Sequence, residues 1–186
     1  MSSVNLTKAS LHFLGSSSDL PEPFIFQFNP ESITRVQNYS EKNSKITETI
    51  RLHLVFNIMH GLSDNNPQAI EHGIYPLLAA LEEYVTEQSK LTRLPGILRK
   101  MGPKIQRVMV LSYGKRSIPV RIVRLNIKEL VHNAQLTPLH ATVDLSLRVL
   151  SESELNGNPR GKAALDNYRK YRESEARLLT PLTHLE

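Results

Sequence analysis

The residues of this 186-residue chain equipped for chemistry are seven histidines, one glycine-bounded stretch and a large set of cations, with no cysteine. Paired histidines at i and i+4 on a helix would hold zinc, and a loop of the form GxxxxGK[ST] would cradle phosphate. Neither pattern is present. His12, His53, His60, His72, His132, His140 and His184 include no HExxH, and His53 and His60 fall at opposite parities near the end of one strand pattern. The stretch GNPRGKA, Gly157 to Ala163, has three residues between its glycines where a phosphate loop has four. It also has Ala163 where a hydroxyl must meet magnesium. No GxSxG elbow or GxGxxG loop occurs. The lack of cysteine excludes disulfides and thiolate metal sites. The inventory therefore predicts a protein that is not an enzyme, with no metal and no cofactor.

What remains is charge, and it is unevenly placed. Residues 1–89 carry 5 basic and 10 acidic side chains, 90–150 carry 12 and 2, and 151–186 carry 6 and 6. No acidic residue occurs from Lys90 to Lys128, against eleven basic ones. Such a block is a solvated face, a nucleic-acid footprint or a protein contact. Phosphate neutralisation by Lys and Arg dominates nucleic-acid binding. The block holds one aromatic, Tyr113, which is a poor supply for stacking on bases. A subunit acidic in one half and basic in the other suits head-to-tail contacts.

The elements that must carry these charges are mostly strands. In FIFQFNPES, Phe24, Phe26 and Phe28 recur at every second position, which predicts a strand with one aromatic face, ended by Asn29-Pro30. ITRVQNYS reads as a weaker strand. In ITETIRLHLVFNI the residues Ile46, Ile50, Leu52, Leu54, Phe56 and Ile58 share one parity, and only Glu48 breaks that apolar face. This run is long enough to project beyond its own domain or to bend. A helix follows from Asn66-Pro67, with Ile70, Ile74, Leu77, Leu78, Leu81 and Val85 at helical spacing. Pro76 kinks it or restarts it. Residues 90–104 read as an irregular basic connector. In SIPVRIVRLNIKEL the apolar parity changes between Ile122 and Val123, which predicts a bulge or a strand buried on both faces. HATVDLSLRVL alternates cleanly. After Ser151, NGNPRG reads as a linker and KAALDNYRKYRESEARLL as a charged helix. The start, MSSVNLTKAS, has no apolar core of a signal peptide, and no run approaches a membrane span, which predicts a soluble protein. The sequons at Asn5 and Asn38 are then accidental.

The ordered set FIFQFNPESI, ETIRLHLVFNI, YPLLAALEEYV and VMVLSYGKRSIPVRIVRLNIKEL with LTPLHATVDLSLRVL resembles the tube-type domain of contractile injection systems, the phage-tail-like machines, over residues 8–152. The resemblance implies a mainly β, Hcp-like antiparallel barrel or sandwich with one packed helix over residues 1–152, and a linker and helical tail over 153–186. It implies a hexameric ring in the baseplate, joining the inner tube to the spike hub and touching other baseplate components. A tube initiator or the tube subunit itself is the second reading, and a basic nucleic-acid-binding module is a third. On the first reading there is no nucleic-acid partner and no direct membrane insertion, and assembly is cytoplasmic, within a contractile particle. Family adaptors that bind peptidoglycan carry a further domain, and the 35 or so residues left here do not supply one. The structural motif would be Phe24, Phe26, Phe28, Asn29 and Pro30. Contacts to neighbours would fall to Arg93, Arg99, Lys100, Lys104, Lys115 and Arg116, and to Tyr168, Tyr171 and Leu179 of the tail.

Overall fold

The structure is a computed structural model that describes residues 7–15, 20–59, 67–89, 91–93 and 104–178, with residues 91–93 and 104–106 described as backbone. The elements are β1 (Ser10–Phe13), β2 (Phe24–Ile25), β3 (Ile33–Ser40), β4 (Lys45–Asn57), α1 (Pro67–His72), α2 (Tyr75–Ser89), β5 (Leu91–Arg93), β6 (Lys104–Gln106), β7 (Met109–Tyr113), β8 (Arg116–His132), β9 (Pro138–Val149) and α3 (Pro159–Arg177). Seven strands make one antiparallel sheet in the order β2-β1-β7-β8-β9-β4-β3, and β5 pairs with β6 in a separate ribbon. The fold is mainly β, as expected, but the sheet is single and its hydrogen-bond ladder does not close. Three helices accompany it among the described residues.

The sheet is held by alternation. Ile50, Leu52, Leu54 and Phe56 of β4 lie opposite Leu147, Leu145, Val143 and Ala141 of β9, all buried. Apolar surface removed from water stabilises by about 25 cal/mol per Å², and both rows are removed from it almost entirely. Across β9, strand β8 keeps register only by slipping: Ile122 faces Leu147, Arg124 faces Ser146, and Val123 is left over in a bulge. The parity change in the sequence is this bulge. It returns Leu125 and Ile127 to the apolar side, opposite Leu145 and Val143, and turns Arg124 outward.

FIFQF is not one long strand. Only Phe24 and Ile25 pair with β1, and the Phe26 N–H donates to the Ala9 carbonyl at 3.0 Å. Phe24 and Phe26 are buried, whereas Phe28 is 37% exposed and lies outside the aromatic core that the alternation predicts. The physical reason is that side chains replace backbone pairing here. Asn29 Oδ1 accepts from Ala9 N–H (2.8 Å) while its Nδ2 donates to the Thr7 carbonyl (2.9 Å). Gln27 does the same for Asn57, donating to its carbonyl (2.7 Å) and accepting from its N–H (2.9 Å). Pro30 follows, buried. The segment crosses between the start of the chain and the end of β4, and its amides act as short substitute strands.

The helix restarts at Pro76 as the second residue of α2, after Gly73 adopts φ +61. A Cβ on Gly73 would sit 2.2 Å from the Pro138 carbonyl, the same carbonyl that accepts from Ile74 N–H. Leu78, Leu81 and Tyr84 of α2 are buried, and Ile70 of α1 is exposed. Tyr84 packs on Phe13 and Phe24, with ring centroids at 5.0 and 6.2 Å. Its hydroxyl accepts from Phe24 N–H (3.0 Å) and lies 2.6 Å from the Glu22 carbonyl. One turn on, Gln88 serves β8 as Gln27 serves β4. β7 stops opposite Val120, and the Gln88 amide bonds both the N–H and the carbonyl of Ile122, each at 2.9 Å.

The stretch expected as a linker is the start of α3. Asn158 caps it, accepting from Gly161 N–H at 2.8 Å, and a Cβ on Gly161 would meet Leu155 at 2.8 Å. The glycines that imitate a phosphate loop are thus a helix entrance packed on Leu155. Before it, Arg148 grips Glu154 through two hydrogen bonds (2.9 and 2.6 Å), and Glu154 also accepts from the Ser151 backbone and hydroxyl.

Two expectations follow. Gln88→Ala strands the Ile122 peptide and lowers stability by about 1–3 kcal/mol in chemical denaturation. The Arg148 guanidinium holds the Glu154 carboxyl down to about 2. Folding thus lowers this pKa, so its stabilisation is complete above about pH 4.5 and is lost as pH falls toward 2. With Glu154 partly exposed, the difference between wild type and Glu154→Gln is on the order of 2 kcal/mol near pH 6 and vanishes near pH 2.

Candidate functional site

Two surfaces gather polar side chains along the same strand, β4, one near its start and one on the outward face of its middle. The first is built round Glu48, the single charged residue on the apolar face of that strand, and it is 7% exposed. β4 begins at Lys45, but its pairing with β9 begins only at Thr49, opposite Arg148, so among the described residues its opening residues have β3 on one side and no strand on the other. α3 reaches into that place. Tyr168 donates to Glu48 Oε1 (2.9 Å), and Arg172 (3.2 Å) and Gln37 of β3 (3.2 Å) donate to Oε2. Arg35 of β3 stands 4.0 Å from Oε1. Burial, and then the bond to Glu48, push the Tyr168 hydroxyl above the ordinary tyrosine range. A buried carboxylate is costly unless its lone pairs are met, and here β3 and α3 meet them together. Over it lies an open groove lined by Arg35, Gln37, Arg116, Tyr171, Arg172 and Glu175. Tyr39 and Ile46, a cross-strand pair at the adjoining end of the β3–β4 hairpin, are each 64% exposed.

The second surface is the outward face of β3, β4, β9 and β8. Register fixes its side chains in rows. Thr34, Arg51, Ser146 and Arg124 form one, and His53, Asp144 and Asn126 form the next. They line an open groove of about 620 Å³. His53 Nδ1 lies 2.8 Å from Asp144 Oδ1, and this bond, helped by Asn126 and by the charge of Arg124, holds the Asp144 carboxyl below its usual range. The pair is exposed, so it orders the groove and adds little to stability.

The residues predicted for contacts are scattered over these surfaces. Arg116 and Tyr171 meet in the groove above Glu48, where the Arg116 guanidinium stacks 4.8 Å from the centre of the Tyr113 ring. Lys115 is exposed on the two-residue turn between β7 and β8, whose first residue, Gly114, has φ +57. Tyr168 lies within the chain's own core and is not available for an outside contact, because its ring packs with the main cluster and its hydroxyl serves Glu48. Arg93 and Lys104 are backbone neighbours, opposite each other across β5 and β6. Arg99, Lys100 and Leu179 lie outside the described residues. Arg107, one of the basic block, is turned inward onto buried Glu87.

Sequence reasoning missed Arg35, Gln37 and Arg51, and it did not join Arg124 of the basic block to Arg51 or Arg172 of the tail to Glu48. Glu48, alone on an apolar face, is the signal that leads to Arg35, Gln37 and Arg172. Arg51 and Arg124 come together only through the register of β4, β9 and β8.

The chain matches no protein-family model and no curated protein.

Glu48→Ala leaves Arg35 and Arg172 without their shared carboxylate and loosens both the edge strand and α3. Because the guanidiniums are nearly half exposed, the expected loss is about 2–3 kcal/mol, with Glu48→Gln costing less since it keeps an acceptor for Tyr168. Urea denaturation of both variants checks the order.

Proposed function

We propose that this protein is a structural ring component of a contractile injection system, at the baseplate junction between inner tube and spike hub. The observation that carries the reading is the open sheet: β3 ends it with eight residues whose outer edge has no strand partner among the described residues, and β8 runs on from Arg121 to His132 beyond its pairing with β7. A ring built from such a subunit continues its sheet from copy to copy and leaves no free edge. The overlong strand expected to project is β4, but β3 and β9 flank it within the subunit, so in this reading the extension passes to β3. The ordered resemblance of residues 8–152 supplies the assignment to an injection particle.

The mechanism is geometric. Each subunit offers one surface to the tube and another to the hub, and transmits the firing force through a continuous sheet. Among the residues proposed for contacts, Lys115, Arg116 and Tyr171 stand at the end of the molecule where the edge strand and α3 meet over Glu48.

Quantitative mass spectrometry of sheathed particles from the native host is the test. About six copies per particle are expected of a single closed ring. A copy number near that of the sheath subunit assigns the chain to the tube, and its absence from the particles overturns the proposal.

A further inference from the structure

The outward row Thr34, Arg51, Ser146, Arg124 has a feature that a ring subunit does not need. Ser146 stands between two arginines on flanking strands, Arg51 on β4 and Arg124 on β8. Cross-strand neighbours are about 5 Å apart, so the two arginine Cα atoms stand roughly 10 Å apart with a short hydroxyl side chain on the floor between them. Arg124 faces this way only because the Val123 bulge restores its parity. Arg51 has no ion-pair partner among the described residues. The one carboxylate of the groove, Asp144, is hydrogen-bonded by His53 and Asn126 in the adjacent row and feels the charge of Arg124 without forming an ion pair with it. Arg148, in the row on the other side, is taken by Glu154.

Two arginines on strands that flank a serine, lining one groove, set a demand on a ligand. Each guanidinium fork binds two oxygens side by side. A carboxylate has only two, enough for one fork. A phosphodiester has two unesterified oxygens, also enough for one. A tetrahedral group with three or four free oxygens presents an edge to each arginine and an oxygen to Ser146, and carries close to two negative charges at neutral pH. An aromatic platform for bases is missing from the row.

We propose that Arg51, Ser146 and Arg124 form a binding site for a terminal phosphate, either inorganic phosphate or a phosphate monoester. The site does not depend on the assembly proposed above. The groove is open to solvent, which leaves room for the ester substituent.

The test is a titration of the full chain, followed by amide and arginine side-chain NMR, with inorganic phosphate, a phosphoserine peptide, dimethyl phosphate and glutarate. The expected result is saturable shifts centred on Arg51, Ser146 and Arg124 with the first two probes. Affinity should fall about tenfold or more in Arg51→Gln and in Arg124→Gln, and stay unchanged in Arg177→Gln, which is exposed on α3 outside the groove. Both groove positions are exposed, and matching thermal unfolding of the variants establishes that the fold is kept. Shifts that grow without saturation, equal binding by the Arg51→Gln and Arg124→Gln variants, or binding of the diester or glutarate as tight as phosphate would each overturn the proposal. Unchanged phosphate binding by a chain absent from sheathed particles would leave this site standing while the ring assignment falls.

Discussion

Buried peptide groups must all find partners, and strands that range from two residues in β2 to seventeen in β8 cannot supply them to one another. The fold is organised round that shortage. Where β7 ends beside β8, Gln88 offers a primary amide in place of the missing strand. Where β3 ends beside β4, Gln27 does so, and before β1 the same service comes from Asn29. A primary amide can set one of its two N–H donors and its carbonyl side by side against the carbonyl and N–H of one residue, so it continues a ladder by a single step and then stops it. Tyr84 joins this set from the helix side, with its hydroxyl on the Phe24 N–H. Each of these contacts ties a strand end to an element distant in sequence. The ragged margins of the sheet are therefore also where α2 and the crossing segment are fastened.

A second constraint is parity. The apolar rows of β4 and β9 leave no freedom in which side chains point out, so the polar face follows from the core. β8 would break this rule midway, since its pattern changes phase after Ile122. One unpaired residue, Val123, repairs it. The same residue decides that Leu125 is inside and Arg124 outside, so core packing and the charge of the outer groove are two results of one bulge.

Much of this is legible in the chain. The alternation in β4 and β9, the bulge, the break at Pro76 and the final helix are all local patterns, and local patterns survive folding when a buried face enforces them. FIFQF misled because alternation of phenylalanines is also what a crossing segment shows when two rings enter a core and the polar residues between them reach elsewhere. Gln27 and Gln88 look like ordinary solvent-facing residues in sequence, because nothing local marks a side chain that will pair with a backbone thirty residues away. The basic block drew attention to cations as a run, yet the run is divided by the fold: Arg107 is an internal partner of Glu87, while Arg124 faces Arg51, which lies outside the run altogether. Glu48 was conspicuous as a break in an apolar face. Its meaning, a carboxylate shared by an edge strand and a terminal helix, needed both partners in view.

The position of β1 has a consequence for biosynthesis. Its neighbours in the sheet are β2 and β7, and Leu11 lies opposite both Phe24 and Leu111. During translation β1 emerges first, and roughly 100 residues must follow before β7 exists, a wait of about 5–20 s at ordinary elongation rates. Over that interval an apolar strand would stand with one edge open. The crossing segment arrives within a dozen or so residues, and it brings its own backbone pair, the Phe26 bond to Ala9 and the Asn29 amide on the residues before the strand. β1 and the crossing segment can thus close into a local hairpin long before the sheet that will receive them has been made.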